Sequence, residues 1–198
     1  MDYETLANCF TGVFEHYKTQ ETEIFVVHDL RNDLPEFIKF LENNIKNKEW
    51  HISYNGLAFD SQVTHYILDN QFLWLNLSGC AIAKIIYQYA QQCIQKSNNK
   101  EFSDYAPWKM KIGQIDIFKM HHWDNPAKRS SLKWIQYSMD WQNILDMPIH
   151  HETKITTQEQ LDTILEYCVN DVKSTKEIYN RSKSQIGLRK ELTQTYGI

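Results

Sequence analysis

The apolar pattern of this chain changes period along its length, and that change restricts the fold more than any other feature. Residues 10–17 and 23–28 are rich in β-branched and aromatic side chains, and the polar stretch between them reads as a hairpin turn. Directly afterwards the spacing becomes helical. Leu34, Phe37, Ile38, Leu41 and Ile45 recur every three or four residues, with Asp33 placed as a cap. Residues 50–54 read as a short buried strand that ends at the turn signal Asn55-Gly56. Helices are then expected over residues 60–69 and 79–95 and from Leu132 to Tyr137, with a strand over residues 114–120 and a polar loop over 96–103. Thr157 and Gln160 make a capping-box pattern ahead of a long helix whose inward stripe is Leu161, Ile164, Leu165, Cys168 and Val172. A hairpin followed by alternating helices and strands predicts an α/β sandwich built around a mixed sheet.

Composition narrows the function classes without choosing one. The chain has 198 residues, 42% of them hydrophobic, and neither a repeat nor a Gly/Pro-rich linker divides it, so a single domain over 1–198 is expected. Cys9, Cys80, Cys93 and Cys168 lie far apart with no C-x-x-C pair, which argues against a zinc knuckle and for reduced thiols in the cytoplasm. No apolar run is long enough for a membrane span, and no leader pattern opens the chain. The net charge of −4 argues against gripping nucleic acid by bulk positive charge. It leaves room for a site in which divalent cations supply local positive charge among carboxylates.

Three short segments carry candidate chemistry. In an extended Asp2-Tyr3-Glu4-Thr5, the two acids project to one side because strand side chains alternate. In residues 55–60, Asp60 follows the aromatic Phe59 at a helix start. Tyr167 and Asp171 are four apart, so on a helix they share one face. Phosphodiester hydrolysis can use two divalent metals, one to activate water and one to steady the leaving oxygen. Holding two hard cations takes several carboxylate oxygens on rigid elements, which four acids on a strand and two helices would provide. Singly, each segment fits a blander reading: a solvated terminus, a helix cap, a helix surface. The weight lies in their conjunction and order.

Together these segments resemble the three motifs of the DnaQ-like (DEDD) 3′–5′ exonuclease superfamily, which has the ribonuclease H-like fold. Asp2-x-Glu4 is similar to the first motif, and Asn55-x-x-x-Phe59-Asp60 to the second, with Tyr54-Asn55 in the form seen in family B DNA polymerases. Tyr167-x-x-x-Asp171 is similar to the third in its tyrosine version, the DEDDy branch. The resemblance runs from Asp2 to about Tyr179. It implies a ribonuclease H-like mixed β-sheet flanked by α-helices and hydrolysis of DNA 3′ ends with two divalent cations, Mg²⁺ or Mn²⁺. Asp2, Glu4 and Asp171 would hold the catalytic metal, and Asp2 with Asp60, nearby or through water, the second. Tyr167 would position the hydrolytic water. Thr5, Leu6, Asn55 and Phe59 would contact the 3′-terminal nucleotide. Expected partners are single-stranded DNA or frayed DNA 3′ ends and a DNA polymerase module, as in proofreading or in phage DNA metabolism. The middle of the chain, with residues 114–118 and 131–134, looks like exonuclease modules of phage origin.

In the family the first motif follows several apolar strand residues, whereas here Met1 alone precedes Asp2. Either the strand starts with the motif and runs to about Leu6, or the chain starts within it, or the motif is displaced. Residues 188–198 keep helical spacing and then stop, which reads as a domain excised from a longer chain or as a small protein with a frayed tail. Two other readings stay open: a non-catalytic binding module on a retained nuclease fold, and an RNA 3′–5′ exonuclease, since 2′-hydroxyl recognition depends on pocket shape. Trp108, Lys109, Lys111, Lys119, Trp123, Lys128, Arg129 and Lys133 either track a strand or form a mixed surface with core tryptophans. The pairs His121-His122 and His150-His151 read as loop residues rather than ligands, and Asp116 as a hydrogen-bonded acid.

Overall fold

A computed structural model describes residues 1–122 and 130–197. The expected hairpin is present and gains a third strand: β1 (Asp2–Leu6), β2 (Cys9–Glu15) and β3 (Thr22–Val27) form an antiparallel sheet in the order β1-β2-β3. Asp2 lies opposite Val13 and Glu4 opposite Thr11. A second, parallel sheet pairs β4 (Trp50–Ser53) with β5 (Gly113–Asp116). The Met1 amino group donates to the Ile52 carbonyl at 2.8 Å and links the two sheets. The chain is therefore a mixed α/β protein.

Seven helices accompany the sheets among the described residues: α1 (Leu34–Asn47), α2 (Asp60–Asn70), α3 (Gly79–Asn98), α4 (Ile117–His122), α5 (Leu132–Ser138), α6 (Gln158–Arg181) and α7 (Lys183–Tyr196). The capping box of α6 forms as expected, with Thr157 and Gln160 each bonded to the other's backbone. Three expectations need correction. The run 114–120 is a strand only to Asp116, because the Asp116 carboxylate accepts from the Phe118 and Lys119 backbone N–H groups and so starts α4. Asp33 does not cap α1 through its side chain. Its carboxylate instead accepts from Val26 N–H at 2.9 Å and pairs with Arg31 at 2.6 Å, tying the helix start to β3. Helix α3 runs past Gln95 to Asn98, into the expected loop.

The pleat of the hairpin sorts side chains into two layers. Tyr3, Phe10, Phe14, Phe25 and Val27 face one way and pack with residues of α1, α2 and α3, among them Phe37, Val63 and Ile86. Leu6, Cys9 and Val26 face the other way, against Leu161 and Ile164 of α6, and Val13 meets Cys168 and Val172. Each fully buried Phe or Leu in these layers contributes about 1.5–3 kcal/mol relative to exposure. The consequence for function is positional. Asp2 and Glu4 share the pleat phase of Leu6, so they point at α6.

Helix α7 carries no buried residue, consistent with its weak apolar spacing. No helix among the described residues is long and apolar enough to cross a membrane.

Candidate active site

Where β1 passes beneath α6, three acids converge. One carboxylate oxygen from each of Asp2, Glu4 and Asp171 lies within 4.8 Å of the others. Two local geometries bring them there: the two-residue repeat of β1, and the one-turn step on α6 that aligns Asp171 with Tyr167. Asp171 is buried, as is Asp60, while Asp2 and Glu4 are half-buried.

Asp60 opens α2 and does not join that triplet. Its Oδ1 accepts from the Tyr3 backbone N–H at 3.1 Å, which fixes it against the strand between the other two acids. A carboxylate in the first turn of a helix is also favoured by the helix dipole. The turn before it is tightly built. Asn55 adopts a left-handed backbone, with φ +62. A Cβ on Gly56 would stand 1.8 Å from Ser53 Oγ and 3.3 Å from Asp60 Oδ2, so only glycine fits there. Asp116 holds this turn from β5, accepting from Asn55 N–H at 2.9 Å and Leu57 N–H at 3.1 Å.

The acids disturb one another. Burial, then the negative charge of Asp171 and of Asp60, pushes Glu4 up to about 8. Burial, then Glu4 and Asp60, holds Asp2 well above the usual carboxylate range. Burial raises Asp60 to about 7 and raises Asp171 as well. The Tyr167 phenol is raised by burial and by the adjacent Asp171 and Glu4 charges, and it donates to Asp171. It therefore stays a neutral hydrogen-bonding group at physiological pH.

Three neighbours have a place at the acids that their sequence pattern did not assign, although Lys133 already stood in the basic and aromatic run. Gln136 of α5 is fully buried, and its Nε2 donates to Asp171 Oδ1 at 2.9 Å and to Ser174 Oγ at 2.7 Å. Lys133, one turn earlier on α5, is near enough that its charge lowers both Glu4 and Asp171. Its ammonium also pairs with Asp146 at 2.5 Å. The Cys168 thiol, which by spacing is simply part of the apolar stripe, donates to the carbonyl and to Oδ2 of Asp2. The residues 131–134 do attract notice in the sequence, but a buried glutamine beside them has no signature of its own.

The expected contacts to a strand end are divided. Asn55 and Phe59 are half-buried, Phe59 against the core. Thr5 is buried and Leu6 fully so, the latter packed with Val26 and Leu161. Their side chains have little or no surface to offer in this structure. Of the basic and aromatic run, Trp108 is exposed, Lys111 pairs with Asp69, and Trp123, Lys128 and Arg129 lie outside the described residues. His151 accepts or donates a bond with the Tyr87 hydroxyl and stacks on His150, far in character from a ligand pair. The helix α4 reaches His121 and His122, whose side chains are likewise outside the description.

A separate cavity lies elsewhere. About 460 Å³ opens between β2, β4 and α6, lined by Met1, Phe14, Trp50, Ile52, Val172 and Tyr179 among others, and none of the four acids lines it. No family model, curated protein or solved structure matches this chain.

Proposed function

We propose that this protein is a metal-dependent 3′–5′ exonuclease that hydrolyses phosphodiester bonds at DNA 3′ ends, built on a ribonuclease H-like sheet. The observation that carries the reading is the meeting of Asp2, Glu4 and Asp171 within 4.8 Å, with Asp60 fixed beside them by the Tyr3 backbone. The sheet order supports it: an antiparallel β1-β2-β3 with a parallel pair next to the start of β1.

The donor set fits hard divalent cations such as Mg²⁺ or Mn²⁺. The ligands are all oxygen, they come from a strand and two helices, and each stays raised above its ordinary value although the Met1 ammonium lowers Asp2 and Lys133 lowers Glu4 and Asp171. Two buried polar atoms nearby, Thr11 Oγ1 across from Glu4 and Gln136 Oε1, have no hydrogen-bond partner. Asp2, Glu4 and Asp171 would hold one ion, and Asp2 with Asp60 the other. Such cations, when bound, supply Lewis acidity and charge neutralisation at the scissile phosphate. The chain's own groups then do the positioning. Gln136 fixes the rotamer of Asp171, Tyr3 N–H fixes Asp60, and the neutral Tyr167 hydroxyl orients the attacking water. Four mutually repelling carboxylates would be a poor choice for a module with no use for them, which favours catalysis over passive binding.

The test is direct. With Mg²⁺ or Mn²⁺, the protein should release mononucleotides from a labelled single-stranded DNA, starting at the 3′ end. Asp60→Ala and Asp171→Ala should each lower the rate by roughly a thousandfold, on the scale of lost transition-state charge stabilisation. Activity that survives both changes rejects the assignment, and preference for an RNA strand in the same assay would move the substrate class.

A further inference from the structure

The two sheets leave a strand's place open between them. β1 pairs with β2 from Asp2 opposite Val13 to Leu6 opposite Cys9, yet β2 runs on through Phe14 to Glu15. On the other flank the Met1 amino group reaches the Ile52 carbonyl, and β4 begins earlier, at Trp50. Both flanks therefore continue where β1 has no residue, and the gap between them is the cavity lined by Met1, Glu15, Trp50 and Ile52. Helices close it on both faces: Phe40 and Asn44 of α1 line one side, Val172 and Tyr179 of α6 the other. Neighbouring strands lie about 4.8 Å apart, so flanks that both bond to β1 are spaced for one strand between them.

The backbone of each flank is turned into this gap. Strand residues direct their N–H and C=O groups alternately to one neighbour and to the other. His16 N–H bonds to the Glu21 carbonyl on the β3 side at 2.8 Å, so Glu15 turns its own N–H and C=O the opposite way, toward the gap. Ile52 directs its carbonyl to Met1, so its N–H and the Trp50 carbonyl face the gap as well. Among the described residues no strand pairs with them there. A side-chain atom adds to this. His51 is buried and its Nε2 meets Asn44, while its Nδ1 has no hydrogen-bond partner. Its ring lies edge-on to Phe14 at 5.2 Å, on the α1 side.

We propose that this gap is a docking site for an extended segment of a separate polypeptide, which enters as a strand parallel to β4 and antiparallel to β2. That direction is the one β1 takes, and it makes the hydrogen bonds agree on both flanks. The docked residue beside Met1 exchanges N–H and C=O bonds with Glu15. The residue before it donates to the Trp50 carbonyl and accepts from Ile52 N–H. The pleat sorts the docked side chains too. The residue beside Met1 has the phase of Asp2 and points at α6, where Val172 and Tyr179 favour an apolar group. The one before it has the phase of Met1 and Tyr3 and faces Phe14 and His51, where a threonine hydroxyl reaches Nδ1. The recognised chemistry is thus an uncharged strand of alternating apolar and hydroxyl residues. A small apolar ligand would fill the space and leave the facing backbone groups unpaired, which favours a peptide. The site holds none of the four acids, and its occupant does not depend on what they do.

The test titrates the full chain with the peptide acetyl-Thr-Val-Thr-Val-amide. Calorimetry should show saturable binding with a Kd of roughly 0.1–1 mM, the strength of a short contact. At saturation, hydrogen exchange of the Glu15 and Ile52 amides should slow roughly tenfold or more, because both become bonded. The same peptide N-methylated at its second threonine and last valine lacks the two donors and should bind about tenfold more weakly. Equal binding of the two peptides overturns the strand pairing, and so does protection that appears elsewhere but not at Glu15 and Ile52. No binding at millimolar peptide overturns the site. Saturable binding of indole without binding of the peptide overturns it too, and reassigns the gap to a small apolar ligand.

Discussion

Two buried acid sites lie on the two sheets of this protein, and they are solved in opposite ways. On β5, Asp116 stands in a ring of backbone donors: Asn55 and Leu57 from the turn, Phe118 and Lys119 from the start of α4. Burial raises it, and those N–H groups oppose the rise. On β1, Asp2 is raised by burial and then by Glu4, Asp60 and Asp171, and Glu4 by burial and then by Asp171 and Asp60. A carboxylate saturated by N–H groups is a structural joint. Carboxylates that face one another form a patch of mutually repelling charge, which under the proposed function a cation would relieve. The difference lies in the partners, since all three are carboxylates that burial raises.

The comparison can be broken most readily at Asp116. Asp116→Asn would turn an amide N–H₂ toward backbone donors, and about 2–3 kcal/mol of folding stability should disappear in urea unfolding, the scale of a lost charged hydrogen-bond network. A loss well below 1 kcal/mol would remove the contrast between the two acids. At the other site a change should spare folding and strike ion binding. Gln136→Met removes the donor that orients Asp171, and Mn²⁺ affinity measured by calorimetry should drop about 10–100-fold, as for other groups that hold a metal ligand in place.

The smallest effect is a pH dependence of stability. The folded values of Glu4 and Asp60 are raised to about 8 and about 7, above their ordinary values of 4.5 and 3.8. Their contribution is therefore full below the ordinary carboxylate range and is lost as pH rises through the folded values. His51 acts in the reverse sense. Burial depresses it to about 3 from 6.5, so its contribution is lost only as pH falls below 6.5. Between about pH 6.5 and 8.5 the raised carboxylates should pull stability down as pH rises and outweigh the single buried Met1 amino group, which is held below its ordinary 8.0 by burial and acts in the opposite sense. EDTA-treated protein should show a falling Tm across that window, at about 2–4 °C per kcal/mol for a chain of this size. Added Mn²⁺ should flatten the slope, and a slope that stays unchanged with Mn²⁺ would count against the acids as its ligands.

Much of this architecture was legible because it depends on local periodicity. The hairpin, α1, α2, α3 and α6 follow from apolar spacing, and the Thr157–Gln160 box fixed where α6 begins. Even the convergence of Asp2 with Glu4 needs only the pleat of β1. Residues 114–120 misread as one strand because Ile115 and Ile117 suit either state. Asp116 decided otherwise through bonds to N–H groups that spacing does not reveal. Likewise, Asp33 in a cap position was drawn off by Val26 and Arg31.

The amino-acid order alone determined which acids share a face, since the two- and four-residue intervals act within one strand or one helix. The tertiary structure decided which faces meet: that α6 lies over β1, that Gln136 arrives from α5, and that Leu6 turns into the core. Those outcomes rest on contacts between residues far apart in the chain, and burial there is set by the sum of all packing rather than by any local interval.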